Sequence, residues 1–205
     1  MEYFSCLFGV WVAPCLCSGK GEKMTRTIHD LMGALQPYHD ILDAISREAH
    51  DTYVSRYDPS LRLEHGSRTQ ANCTYDHIVA AADRALLDDA NVIPKDIRGL
   101  KVWIFKSQDV VIRFKKMDDF GNSRTYQTRQ QIDYDKGIEL PGLPVPPVRL
   151  TAGYLLDRTG SQCIRSQIAR PGEMTVDWCA ALIPAELRED NTATWTEVTA
   201  QRRFG

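Results

Sequence analysis

The chain has 205 residues, 43% hydrophobic and 25% charged, the profile of an ordinary globular domain with enough apolar material to need no disulfide framework or structural metal. Its formal net charge of -2 counts against a dedicated DNA-binding protein, because any contact with nucleic acid would have to come from a local basic patch.

Residues 1–23 are apolar and hold three of the six cysteines, Cys6, Cys15 and Cys17. A signal peptide would open on positive charge and end on a small-x-small site, whereas this segment opens with Glu2 and has no such site. Pro14 occupies the position before Cys15 where a lipoprotein needs a small residue, and Gly9 and Pro14 interrupt a run already too short to span a bilayer. The stretch GKGEKM before Met24 reads as a translated ribosome-binding site, which gives the expectation that Met24 is the native start and the leader is not native. The remaining cysteines, Cys73, Cys163 and Cys179, are odd in number and widely spaced, and they read as reduced thiols of a cytoplasmic protein.

Ile28 to Leu35 fits a short helix weakened by Gly33. From Tyr38, the apolar positions Tyr38, Ile41, Leu42, Ile45, Ala49 and Tyr53 fall at helical spacing after Pro37, which predicts an amphipathic helix. The segment DPSLRLEHGSR reads as a polar loop. A second helix follows, with Tyr75, Ile78, Val79, Ala82 and Leu86 on one side, Ser67 or Thr69 as cap, and Asn91 to Pro94 as its stop.

The period then falls from 3.6 to 2. LKVWIF and DVVIRFKKM predict two strands, and DDFGN a turn. SRTYQTRQQIDYD fits either a strand edge or a loop with helical character, and LPGLPVPP a stiff extended connection across the surface. VRLTAGYLLD and CIRSQIA form a hairpin around RTGS, TVDWCAALI adds a strand, and the polar tail 184–205 docks through Trp195. Helices first and short strands after predict a single α+β domain over 24–183, its helices packed on one face of a mostly antiparallel sheet.

Side chains alternate along a strand, so Val110, Ile112 and Phe114 would pack on the helices while Arg113 and Lys115 point the other way. The same alternation sets Ile164 and Ile168 inward and Arg165 and Gln167 outward. With Arg124, Tyr126, Arg129, Gln130, Gln131 and Tyr134 nearby, this side would be a polar, basic face suited to a protein partner, or to phosphates and bases. Antiparallel sheets also leave such faces simply to solvent.

The motifs IHD, YHD and AHD place Asp residues beside His29, His39 and His50, but neighbours on a helix point about 100 degrees apart, so solvated surface histidines are the expectation rather than catalytic dyads. Cys73 and His77 have the spacing of two metal ligands, yet zinc needs three or four, and the chain has no CxxC and no HExxH. No GxSxG elbow or phosphate-binding loop is present, and Asp109 with Lys115 or Lys116 lacks nuclease spacing. No cofactor is expected.

The succession RYDPSLR, VVIRFKKMDDFGNSRTYQTRQQ, LPGLPVPPVRLTAGYLLD and RPGEMTVDWCAAL resembles a bacterial protein family of about this length that carries no assigned activity, over Tyr38 to Ile183. The resemblance implies genes beside helix-turn-helix regulators with zinc-peptidase-like domains, an arrangement of toxin-antitoxin or phage-defence loci. The expectation is therefore a partner-binding protein of such a module, acting through Arg113, Lys115, Arg124, Tyr126, Arg129, Arg165 and Gln167 without a membrane role. The alternatives are a metal-independent ribonuclease, with Arg113, Lys115, Arg124 and Tyr126 binding and stabilising phosphate and a histidine as acid or base, and a structural accessory protein.

Overall fold

The computed structural model describes residues 26–123, 128–143, 147–172, 175–189 and 193–198. Arg124 and Tyr126 lie outside them. Helix α1 (Ile28–Leu35) opens with a reciprocal cap, in which the Asp30 N–H donates to Thr27 Oγ1 and the Thr27 N–H donates to the Asp30 carboxylate. Helix α2 (His39–Arg56) follows a single 3-10 turn at Gln36–Tyr38, whose Pro37 cannot donate a backbone hydrogen bond but does not need to at a helix start.

The segment expected as a polar loop contains helix α3 (Pro59–Glu64). Asp58 caps it by accepting the Ser60 N–H at 2.8 Å, and Pro59 occupies the first turn. Helix α4 (Ser67–Ala85) buries Thr74, Ile78, Ala81 and Ala82, and it pairs along its length with α2. No helix among the described residues is long and apolar enough to cross a membrane.

Seven strands stand in chain order across one sheet: β1 (Val92–Ile97), β2 (Leu100–Phe105), β3 (Val110–Lys116), β4 (Val148–Leu156), β5 (Cys163–Pro171), β6 (Val176–Leu182) and β7 (Trp195–Glu197). Every neighbouring pair is antiparallel except β3 and β4. The architecture is thus α+β with a mostly antiparallel sheet. β1 runs through Pro94, read from sequence as a helix stop, and tolerates it because the strand lies at the sheet edge.

The N-terminal helices cover one face, where Leu42, Ile45, Ile78, Trp103, Phe114 and Tyr154 belong to a continuous core. Val110, Ile112 and Phe114 point there, as alternation requires. Parallel β3 and β4 cannot be joined by a tight hairpin. The chain between them holds helix α5 (Arg129–Asp135), which lies on the opposite face of the sheet, and with it Ile97, Val102, Ile104, Val111, Tyr134, Leu140 and Leu143 make a second core. Leu140 and Leu143 are 5% and 7% exposed, so part of the proline-rich connection is an inner layer rather than a surface strap.

Two other expectations are corrected. Ile164 is 54% exposed because the β4–β5 register shifts between Leu155 and Leu156, pairing Leu155 with Arg165 and Leu156 with Cys163 and leaving Ile164 as the extra residue of a bulge. His39 and His50 are each 1% exposed, on the buried side of α2 rather than solvated. The C-terminal tail supplies β7, whose Trp195 ring meets that of His29 at 5.3 Å between centroids, tilted by 53°.

Gly153 marks how closely β3 and β4 approach, since a Cβ there would sit 1.8 Å from the Lys115 carbonyl oxygen. Gly153→Ala must push the parallel pair apart, and a loss of about 1–3 kcal/mol or more is expected in urea unfolding. An unchanged midpoint would show that the close pairing is not as described.

Candidate functional site

Arg113 leaves β3 on the α5 side of the sheet and is 2% exposed. Its Nε donates to Thr151 Oγ1 on β4 at 3.1 Å, and its Nη2 donates to Asp135 Oδ1, at the end of α5, at 2.5 Å. The guanidinium carbon lies 4.6 Å from the centroid of the Tyr134 ring, and that of Arg149 lies 5.5 Å from the same centroid. The Tyr134 hydroxyl, fully buried, shares its hydrogen between the carbonyls of Val111 on β3 and Leu150 on β4, at 2.8 and 2.7 Å. Burial pushes this phenol well above the usual tyrosine range, against the opposing pull of Arg113 and Arg149.

The basic face read from the sequence is therefore roofed over at Arg113 by α5. Burial raises the Asp135 carboxyl above its ordinary value, while Arg113, Lys115 and Arg149 pull it back down. Burial also lowers the Lys115 ammonium to about 8, with repulsion from Arg113 adding to it and Asp135 opposing. Lys115 sits 5.7 Å from the ring centroid of Tyr75 on α4, in a cavity of about 240 Å³ that Arg98, Gln131 and Tyr154 also line. A second cavity, of about 210 Å³, opens on the other flank of α5, lined by Arg113, Asp135, Thr151, Asn122, Ser123 and Thr175.

The other singled-out residues are dispersed. The Arg129 side chain is 83% exposed and pairs with Asp133 at 3.3 Å, one turn along α5. Arg165 donates to Gln167 Oε1 at 3.0 Å and to the Asp119 carbonyl at 2.7 Å, and Gln167, with no exposed surface, donates to the Asp118 carbonyl at 2.8 Å. These two hold the loop after β3 in place instead of presenting a free polar surface. Of the residues singled out from the sequence, Tyr134 meets Arg113 directly; its ion-pair partner Asp135, and Arg149 over the same ring, were not singled out. Arg149 donates to the carbonyls of Asp133, Tyr134 and Ile138, and so fixes the end of α5.

All five histidines belong to the helical layer on the opposite face. His39 Nδ1 lies 2.7 Å from Thr194 Oγ1, and burial followed by repulsion from Arg188 lowers its pKa to about 4. His50 faces the Gly160 carbonyl, His65 meets the Tyr53 hydroxyl at 2.9 Å, and His77 packs near Tyr57. No group of three or more metal-ligating side chains comes together among the described residues.

The cost of the half-buried ammonium is testable. Below pH 8 the folded state holds a charge that burial disfavours; between pH 8 and the ordinary 10.5 only the unfolded chain keeps that proton, so stability rises with pH across this window. Lys115→Met is expected to be more stable than the parent by about 1–3 kcal/mol at pH 7, the gain fading as pH approaches the ordinary lysine range. A gain independent of pH would contradict the cause given.

Comparison of the chain with protein-family models, with curated proteins and with solved structures finds no match.

Proposed function

We propose that this chain works by binding a protein partner, as one component of a toxin-antitoxin, stress or phage-defence module, through the loop after β3 and the neighbouring end of β5. The observation that carries this reading is an exposed aromatic on a rigidly held loop. Phe120 is 39% exposed. Around it the Asp118 carboxylate accepts the N–H groups of Phe120 and Asn122 at 3.0 and 2.9 Å, and its carbonyl accepts the Gly121 N–H at 3.1 Å. Gly121, at φ +84°, lies so close to β5 and β6 that a Cβ would come within 2.8 Å of the Cys179 sulfur.

A loop fixed in this way loses little entropy on docking, and Phe with Arg belongs to the composition of interface centres. Ile164, set outward by its bulge beside Arg165, adds a second exposed apolar side chain on the strand that anchors the loop. The module is what the resemblance to the bacterial family implies. Nucleic-acid binding and ribonuclease action have less support, because Arg113 is paired beneath α5 and the histidines belong to the opposite layer. A histidine there has no path to a phosphate held at Arg113.

Co-expression of the full chain with the product of the adjacent gene tests the reading. The parent is expected to co-purify with it in fixed stoichiometry, and Phe120→Asp to weaken binding about tenfold or more with the melting temperature unchanged. Recovery of RNA in place of protein, with affinity falling steeply as salt rises, would overturn it.

A further inference from the structure

Independently of the partner-binding reading, we infer that Lys115 forms an imine with a small carbonyl compound that enters the cavity between α4 and α5. The first ground is the shape of the sheet there. β2 and β3 pair from Phe105 with Val110 to Trp103 with Ile112 and no further, although β2 begins at Leu100 and β3 runs on to Lys116. The strands part where Leu100 and Lys115 would have faced each other, and both residues line the cavity of about 240 Å³. Asn72 and Tyr75 close it from α4, and Gln130 and Gln131 from α5.

The second ground is the position of the amine. Lys115 is half-buried, and its Nζ stands 5.7 Å from the centroid of the Tyr75 ring, which is itself a wall of the cavity. Ile78 and Tyr154 give the cavity buried apolar surface, while Asn72 and Arg98 are exposed and mark its mouth. Its volume is below that of ordinary cofactor pockets, which limits the compound to a few carbon atoms or a single ring.

The third ground is chemical. Desolvation and a neighbouring cation are the two conditions that make a lysine nitrogen nucleophilic, and burial and Arg113 supply both against the weaker pull of Asp135. A neutral amine that donates a hydrogen bond keeps its lone pair, so the reaction requires no loss of existing partners. The nitrogen bonds to the carbonyl carbon, its two hydrogens pass to the carbonyl oxygen, and that oxygen leaves as water; no oxidant or reductant takes part. An apolar side chain would be more stable at this position, and a group held at a cost in stability is the usual mark of a chemical use.

The full chain is incubated at pH 7 with benzaldehyde or with pyruvate, any imine is trapped with cyanoborohydride, and the adducts are located by peptide mass mapping, with fragmentation separating Lys115 from Lys116. Lys115 is expected to be modified about tenfold or more faster than Lys95, Lys106 and Lys136, at a rate that saturates with carbonyl concentration. Tighter saturation by benzaldehyde assigns an aromatic aldehyde, and by pyruvate a keto acid. Two variants separate the cavity from mere reactivity. Asn72→Trp, at the exposed mouth, should slow the modification of Lys115 about tenfold or more with the melting temperature unchanged, and Lys115→Arg should abolish the saturable phase rather than transfer it to Lys116. Even labelling of the lysines, a rate that rises linearly with carbonyl concentration, or indifference to Asn72→Trp would overturn the assignment.

Discussion

The parallel pairing of β3 with β4 is the constraint on which the rest of this structure depends. Every other neighbouring pair in the sheet is antiparallel and needs no crossover to join its strands. The crossover that this one pair demands carries α5 and the Leu140–Leu143 segment to the face opposite the N-terminal helices, and an antiparallel sheet with one open face becomes a sheet covered on both sides at β2 and β3. Tyr134 fastens the crossover by placing its hydroxyl between carbonyls of the two parallel strands, and its ring forms the platform beneath two guanidinium groups.

This arrangement changes what the basic residues can do. A cation on an open sheet face interacts weakly with its surroundings and is screened by salt. Arg113, held by Thr151, Asp135 and the Tyr134 ring, sits where charges interact strongly and where desolvation is correspondingly expensive. Such a pair adds little net stability compared with an apolar filling of the same volume, while losing either partner strands a buried charge. The surface that the proposed partner would contact lies further out, at the loop of Phe120, which Arg165 and Gln167 tie down from β5.

Much of the helical face was legible because its signals are local. Tyr38, Ile45, Ala49, Tyr53, Ile78 and Leu86 repeat at helical spacing and are buried, and Val110, Ile112 and Phe114 alternate into the same core. The covered face had a signal that alternation alone passed over. Val111 is apolar on the side assigned to polar residues, and an unbroken run such as VVI is the mark of a strand buried on both faces. Thr128 and Gln131 form a capping box that announces α5, as Asp58 and Pro59 announce α3. Two features had no local signal. The bulge that expels Ile164 depends on the register of β4 against β5, and the Arg113–Asp135 pair joins residues brought together by the crossover.

The central claim is that Arg113 is an interior residue paired with Asp135 beneath α5, and a double-mutant cycle tests it most directly. Urea unfolding at pH 7 of the parent, Arg113→Gln, Asp135→Asn and the double variant yields the coupling energy between the two side chains. The account predicts single-variant losses of about 3–5 kcal/mol, each stranding a buried charge, and a coupling of about 1–3 kcal/mol. Losses and coupling all below about 0.5 kcal/mol, the behaviour of a solvent-exposed ion pair, would contradict it.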